Sequence, residues 1–159
     1  YDMLHMLKDV NTTMVKLANG KSPYGDKPAF SIAINHKKTY TGITDYDRAL
    51  TITEMASICS KSLNNNNIQN DFISAFRAPG HVPILIASEG LLDDRVGHTE
   101  LAVYLTQIAG LTPAVVICEM LDDNTYKALT IDRANQYSKE NDIVIVESND
   151  LEVHFAKVH

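Results

Sequence analysis

Apolar side chains at helical spacing predict five helices along the chain. These are residues 2–19, a helix beginning near Thr44 or Asp45, a helix from Thr99 to Ala109, a helix that Thr130 caps, and residues 149–158. Gly20 and Gly110 stand where the first and third of these helices would end, and Thr44 and Asp47 are spaced as in a capping box. The segment NNNNIQND (64–71) predicts an exposed loop after the second helix, because its four consecutive asparagines favour turns.

Four other segments have the apolar patterns of β-strands. In residues 29–35, AFSIAIN, large apolar side chains alternate with small ones, which is typical of a strand. The run VPILIA (82–87) is also strand-like, and the runs LTPAVVICEML (111–121) and IVIVE (143–147) are almost wholly apolar, as in buried strands that are covered on both faces. Because short strands alternate with helices, we predict an α+β fold with a three-layer arrangement of helices on a mixed β-sheet, in a single domain of residues 1–159.

Composition narrows the class of protein. Of the 159 residues, 45% are hydrophobic and 21% charged, as in a soluble globular domain, and no apolar run reaches the length of a membrane span. The net charge of −6 argues against a nucleic-acid surface, although a few arginines and histidines could still bind a small anion. Cys59 and Cys118 both lie in apolar stretches, where reduced and packed cysteines are usual, so we expect no disulfide and a cytoplasmic location.

The stretch DDRVGHTE (93–100) places charged and titratable groups directly before an apolar helix. If Thr99 caps that helix, its first backbone N–H groups favour an anion, and Arg95 can add a bidentate grip on a phosphate. Gly97 would let the backbone approach a ligand closely, and His98 offers a nitrogen to a metal ion or to proton transfer. The alternative is a capped helix with a solvent-exposed histidine, and the spacing alone favours that alternative.

Three further residues could carry chemistry. His81 ends the sequence RAPGH, whose Pro-Gly pair predicts a tight turn that projects the histidine from the rim of the next strand. Glu119 lies within an apolar run, where burial would raise the pKa of its carboxyl group and suit it to acid–base catalysis. Thr41 stands beside a glycine, where a hydroxyl could bind a sugar. Each has a plainer alternative: a loop histidine bonded to a backbone carbonyl, a glutamate at a strand end that reaches water, and a capped turn.

The order of these pieces resembles a known family. TYTGITDYDRALTI, FRAPGHVPILIASEGLL, RVGHTELAVYLTQIAGLTPAVVICEMLDD and YSKENDIVIV are similar to 3,4-dihydroxy-2-butanone 4-phosphate synthases of riboflavin biosynthesis, with FSIAINHKKTYTGITDYDRA closest to the archaeal branch. The resemblance covers nearly the whole chain. It implies a lyase that converts ribulose 5-phosphate into formate and 3,4-dihydroxy-2-butanone 4-phosphate with Mg2+ or Mn2+. The alternative is a relative that binds a sugar phosphate without catalysis.

The resemblance also implies where the substrate phosphate and the metal ion bind. The family's phosphate-binding loop falls on Arg95, Val96, Gly97, His98 and Thr99. His98 also matches the family's metal-ligating histidine. A hard Mg2+ ion prefers oxygen ligands, so His98 by itself is an insufficient ligand set.

The residues implied in catalysis come from other parts of the chain. His81 matches a histidine that the family needs for catalysis, and Glu119 matches an essential carboxylate that contacts the substrate. Thr41 matches a threonine that reaches the substrate from the neighbouring subunit, because family members are homodimers with shared active sites. These roles suit an enolisation, which requires a base near a carbon acid and an electrophile at the neighbouring oxygens.

One segment of the family has no counterpart in this sequence. Family members begin with an acidic loop that supplies a metal-ligating glutamate, further acids and an arginine, and no such loop precedes YDMLHMLKD here. We therefore expect that the chain is most of the family's domain without its N-terminal part. We also expect weak or no turnover from the chain alone, because metal-binding and acid–base groups stabilise the transition state.

Overall fold

The computed structural model describes residues 29–64 and 68–158, together with residues 13, 16 and 25. The chain divides into two compact units, Tyr1–Ser88 and Glu89–His159. The elements of the first unit are β1 (Phe30–His36), α1 (Asp45–Ser62), α2 (Gln69–Ala75) and β2 (Phe76–Leu85). The elements of the second unit are a short 3-10 helix (Leu91–Asp93), α3 (His98–Ile108), α4 (Ile131–Asn141) and α5 (Ser148–Val158). Helices together with an antiparallel sheet confirm the predicted α+β class.

The described sheet consists of β1 and β2. The two strands run antiparallel, and Phe30 pairs with Leu85 at one end while His36 pairs with Phe76 at the other. The predicted strand at residues 29–35 is confirmed by β1. The predicted strand VPILIA is part of β2, which begins earlier and ends at Leu85. Whereas the sequence predicted a mixed sheet, the strands within the described residues form this one antiparallel pair.

The core of the first unit lies between the sheet and its two helices. Ile34 of β1, Ile58 of α1 and Phe76 of β2 are its buried members. The rings of Phe72 and Phe76 lie 5.2 Å apart between centroids. Helix α1 begins where the sequence predicted, since the Thr44 hydroxyl accepts a hydrogen bond from a backbone N–H in the first turn.

Helix α2 begins at Gln69, inside the segment 64–71 that the sequence predicted as a loop, so the end of that prediction was wrong. Asn64 does lie in a turn, and the asparagines that follow it at 65–67 lie outside the described residues. Ile68, Phe72 and Ala75 pack against the first core. This apolar face stabilises a helix in spite of its polar neighbours, because packing overrides weak local propensity.

The second unit has its own core. Leu92, Tyr104, Leu151 and Phe155 are buried together, and the rings of Tyr104 and Phe155 meet edge to face with centroids 5.0 Å apart. The predicted helices α3, α4 and α5 are all present within a residue or two of their predicted bounds. Thr130 caps α4 through its hydroxyl, as the sequence predicted. 

Two predicted strands of the second unit are absent. Residues 113–120 and 143–147 have no assigned secondary structure, and most of their apolar side chains are exposed. Among the described residues of this unit, the sole β-type pairing is an isolated bridge between Leu121 and Ala128. The prediction was wrong here because apolar side chains do not make a strand unless a second strand receives its backbone hydrogen bonds.

Some predictions fall where the structure cannot be compared with them. The predicted first helix at 2–19 and its stop at Gly20 lie outside the described residues, apart from Thr13 and Lys16, which are helical. In the part of the chain that is described, no helix combines the length and apolar character needed to cross a membrane. Neither Cys59 nor Cys118 forms a disulfide, and Cys118 is exposed, whereas the sequence predicted a packed cysteine. Cys59 is partly buried, and burial raises the pKa of its thiol.

Candidate functional site

Asn35, near the end of β1, connects two of the predicted site residues. Its side chain is buried, and its Oδ1 accepts a hydrogen bond from the backbone N–H of His81 at 2.8 Å. Its Nδ2 lies 3.0 Å from Nδ1 of the His81 ring and 3.4 Å from the carbonyl oxygen of Thr41. Thr41 and His81 are therefore brought together through Asn35. Sequence reasoning missed this residue, although a polar amide at the end of an apolar strand was a usable signal.

The loop that carries Thr41 is fixed by Asp47 of α1. Oδ2 of Asp47 accepts hydrogen bonds from the backbone N–H of Gly42 at 2.8 Å and of Thr41 at 3.2 Å, and it lies 3.4 Å from the Thr41 hydroxyl. These bonds, with Gly42 contributing most, hold the pKa of the Asp47 carboxyl below its usual value, while burial acts in the opposite direction. Because the loop is tied down, Thr41 presents its side chain from a fixed backbone, although the residue itself is exposed.

Gly42 is required by the geometry of this loop. Its φ of +83° is one that residues with a side chain rarely adopt. A Cβ at this position would lie 2.0 Å from Nδ2 of Asn35. The absence of a side chain at Gly42 thus leaves room for the amide that contacts His81.

His81 extends from a strand and not from a turn. The sequence predicted a tight turn at Pro79 and Gly80, but both residues lie inside β2. A Cβ at Gly80 would lie 2.0 Å from the backbone carbon of Ile34, so this glycine permits close approach of the two strands. His81 is exposed, which leaves its ring accessible to a ligand. The plainer alternative, a histidine bonded to a backbone carbonyl, is not what the structure shows for Nδ1, whose partner is the Asn35 amide.

The predicted phosphate-binding loop lies at the start of α3. Gly97, with extended backbone angles, is the N-cap residue of this helix, and Thr99 lies inside its first turn. The prediction that Thr99 caps the helix is therefore wrong by two residues. The first N–H groups of α3 lack partners within the helix, as in any α-helix, so they favour a negatively charged group at this end. Val96 and His98 are exposed, and Thr99 is buried.

Arg95 is held beside this helix terminus by Glu100. Its Nε lies 3.9 Å from Oε2 of Glu100, whose side chain is completely buried. A Cβ at Gly97 would lie 2.5 Å from the same carboxylate oxygen and 3.0 Å from the Arg95 Nε. Gly97 therefore makes room for an ion pair that places a guanidinium next to the N-terminus of α3.

Glu119 does not lie in the buried strand that the sequence predicted. It is exposed on the irregular segment 113–120 of the second unit. Of the two interpretations that its sequence allowed, the carboxylate that reaches water is the one observed. Within the second unit, the residues from Arg95 to Thr99 share one helix terminus, whereas Glu119 lies on a separate segment.

The described residues do not by themselves form a metal centre. No group of three or more His, Cys, Asp or Glu side chains among them could hold a metal ion. His98 is the one predicted ligand, and a Mg2+ ion requires near-octahedral coordination in which oxygen ligands dominate. The side chains that the structure describes therefore do not fit a complete magnesium site.

Comparison with known proteins gives a consistent result. The sequence model of the 3,4-dihydroxy-2-butanone 4-phosphate synthase family matches residues 4–154. A 3,4-dihydroxy-2-butanone 4-phosphate synthase from Methanosarcina mazei is 46% identical over 133 residues, which are 84% of this chain and 53% of that protein. The chain thus spans about half the length of this curated relative.

Two solved structures are also similar. The crystal structure of the Candida albicans 3,4-dihydroxy-2-butanone 4-phosphate synthase is 38% identical with a TM-score of 0.64, covering 80% of this chain and 60% of that one. A structure of such a synthase in complex with two magnesium ions is 25% identical with a TM-score of 0.64, covering 87% of this chain and 64% of that one. With a family match that spans nearly all of its residues, this chain belongs to the 3,4-dihydroxy-2-butanone 4-phosphate synthase family.

Proposed function

We propose that the protein converts D-ribulose 5-phosphate into formate and L-3,4-dihydroxy-2-butanone 4-phosphate, a step of riboflavin biosynthesis. The observation that carries this proposal is the terminus of α3, where a buried Glu100 holds Arg95 beside the first N–H groups of the helix. A guanidinium next to a helix N-terminus is suited to bind a phosphate group. The match to the 3,4-dihydroxy-2-butanone 4-phosphate synthase family supports ribulose 5-phosphate as the sugar phosphate of this proposal.

The phosphate would anchor the substrate, and other residues would act on its sugar. Binding through Arg95 and the backbone from Gly97 to Thr99 fixes one end of the molecule, which lowers the entropic cost of orienting the reacting carbons. The family's pattern assigns His81 and Glu119 to the reacting end. Both are exposed side chains that can exchange hydrogen bonds or protons with a ligand.

A divalent metal ion, Mg2+ or Mn2+, is part of the proposal. Its support is the relative whose structure contains two magnesium ions. When bound, such an ion would supply Lewis-acid stabilisation of charge on substrate oxygens. His98 would contribute one ligand, and because the described residues do not complete the site, we assign no reaction step to the metal.

We also propose a cytoplasmic homodimer whose active sites are shared between subunits. In this arrangement Thr41 would reach the substrate bound to the neighbouring subunit. Its support is the exposed position of Thr41 on a loop that Asp47 and Asn35 hold in place. A residue that must reach a second molecule requires such a fixed backbone, because each loosely held side chain costs binding free energy when it is ordered.

The test is formate release from ribulose 5-phosphate by the intact natural protein with Mg2+. Replacing Arg95→Ala should raise KM roughly 100-fold, since a hydrogen-bonded charge contributes about 3 kcal/mol. Arg95→Lys keeps a positive charge beside Glu100 but cannot form two parallel hydrogen bonds to the phosphate, so its increase in KM should be smaller than that of Arg95→Ala. The matched control is Arg133→Ala, which removes an exposed arginine on α4 and should leave KM unchanged.

Thermal melts of each variant separate loss of binding from loss of folding. Equal KM values for wild type and Arg95→Ala would exclude this arginine from the phosphate site. Binding of ribulose 5-phosphate by the intact natural protein without formate release would favour the alternative function, a sugar-phosphate-binding relative without catalysis.

A further inference from the structure

The contact between Asn35 and the ring of His81 determines which nitrogen of the ring carries a proton. We propose that Asn35 holds His81 as the neutral tautomer with its proton on Nε2, so that His81 acts on the substrate as a hydrogen-bond donor. The tautomer rests on the geometry alone, and the role toward substrate rests on the proposed function. Asn35 is thus a positioning residue that acts through His81.

The orientation of the Asn35 amide follows from its partners. The backbone N–H of His81 can only donate, so the atom that it meets at 2.8 Å must be the amide oxygen. The amide nitrogen then lies 3.0 Å from the ring and 3.4 Å from the carbonyl oxygen of Thr41, which can only accept. All three partners agree on one orientation of the amide. Burial of Asn35 leaves its side chain little freedom to turn over.

The orientation of the amide fixes the state of the ring. An amide N–H that points at Nδ1 requires a lone pair on that nitrogen, so in the neutral ring the proton is on Nε2. A ring protonated on both nitrogens would set an N–H of His81 against the N–H of Asn35. Among the described residues, Nε2 has no hydrogen-bond partner, and the side chain is exposed, so the Nε2–H group is available to a ligand.

A neutral hydrogen-bond donor and a general base have different roles in the reaction of a ketose. A fixed N–H at a substrate oxygen stabilises negative charge as it develops there, and the proton stays on Nε2 throughout. The proton that leaves carbon must then be accepted by another group. Within the proposed function this leaves the base role to a carboxylate, for which Glu119 is the proposed residue.

The first test needs no substrate. In the ¹⁵N spectrum of ring-labelled protein near neutral pH, the signals that disappear in His81→Gln belong to His81. We expect Nδ1 of that ring to show the shift of an unprotonated nitrogen and Nε2 that of a protonated one. Asn35→Asp places an acceptor at Nδ1, so the proton should move to Nδ1. A protonated Nδ1 in the wild-type protein would overturn the proposal, and this result requires only the assignment variant His81→Gln to fold.

The second test addresses the donor role in the intact natural protein. His81→Ala should lower kcat on the order of 100- to 1000-fold, as does removal of a donor from an oxyanion site. His81→Gln keeps an N–H and should retain more activity, whereas His81→Glu, which is an acceptor, should not. Equal activity of the Gln and Ala variants would overturn the donor role. Absence of formate in the wild type would overturn the proposed function and leave the tautomer result standing.

Discussion

The two units hold their candidate site residues in different ways. In the first unit, buried Asn35 and Asp47 bond the backbone around Thr41 and His81, so the unit's own contacts fix these positions. In the second unit, Arg95 is fixed by Glu100 at a helix terminus, but Glu119 lies on an exposed segment without regular structure. A buried polar side chain with several hydrogen-bond partners fixes the positions of the site residues around it. An apolar segment that does not pair with another strand fixes no such positions.

The apolar segments of the two units show the same contrast. In the first unit, β1 and β2 supply each other's backbone partners and bury Ile34 and Phe76. In the second unit, the runs at 113–120 and 143–147 are as apolar as strands, yet neither is a strand and most of their apolar side chains are exposed. The stability of the second unit must therefore come mainly from its small core of helical residues.

The largest expected effect comes from removing Phe155 from that core. Phe155→Ala deletes a buried ring that meets Tyr104 edge to face, and such a change typically costs about 3–5 kcal/mol. Hydrogen exchange should show lost protection in α3 and α5, while β1 and β2 keep theirs. Phe30→Ala is the matched control, because Phe30 is 58% exposed. Simultaneous loss of protection in all these elements would show that the two units unfold as one.

The elements that the sequence predicted well are those with a local cause. Helix α1 begins at its Thr44 cap, and α4 at its Thr130 cap, because a hydroxyl that bonds a first-turn N–H is encoded within four residues. The strand at 29–35 alternates large and small side chains and was also predicted correctly. The runs at 113–120 and 143–147 were not, since a strand depends on a partner that its own sequence does not specify.

The candidate site also contains residues that a local sequence signal predicts and residues whose contacts depend on distant parts of the chain. The predicted residues at 95–99 do lie at a helix N-terminus, since a charged turn before an apolar run is a local signal. The polar amide of Asn35 at the end of an apolar strand could mark it as a candidate, but its partners could not be predicted, because His81 and Thr41 are 46 and 6 residues away and meet it only once β1 and β2 have paired. The burial of Glu100 beside Arg95 was also missed, because a first-turn glutamate is normally solvated.

Gly42 of the first unit and Gly110 of the second can be compared by the cost of replacing each with alanine. Both have positive φ, of +83° and +68°, and an alanine at either position costs roughly 1–2 kcal/mol in backbone strain. At Gly110 an added Cβ meets no atom within 4 Å, but at Gly42 it would lie 2.0 Å from Nδ2 of Asn35. We therefore expect Gly42→Ala to cost more than Gly110→Ala in denaturant unfolding. It should also shift the ring signals of His81, which Gly110→Ala should leave in place.

A smaller effect that depends on pH separates two aspartates of similar chemistry. Asp47 of the first unit and Asp122 of the second both accept backbone N–H groups, from Gly42 in one case and from Thr125 and Asn124 in the other. These bonds hold the carboxyl pKa of each aspartate below the ordinary value of 3.8, with the bond from Gly42 contributing most at Asp47 and the bond from Thr125 contributing most at Asp122. A lowered pKa in the folded state means that folding favours the carboxylate. The resulting stability is complete above the unfolded-state pKa and is lost as the pH falls through the folded-state pKa.

The expected result follows from where the two carboxylates lie. Asp47→Asn should lower the melting temperature at neutral pH, because a neutral amide oxygen accepts the N–H groups of Thr41 and Gly42 less strongly than a carboxylate does. The gap between wild type and Asp47→Asn should then narrow as the pH falls below about 4, because the unfolded chain takes up a proton there while the folded carboxylate, whose pKa is lower, stays charged to a lower pH. Asp122→Asn should also lower the melting temperature, but by less. Its turn is exposed and can unfold locally while the rest of the second unit stays folded. If the Asp47 gap stayed constant on acidification, the loop of Thr41 would not be held by this charge.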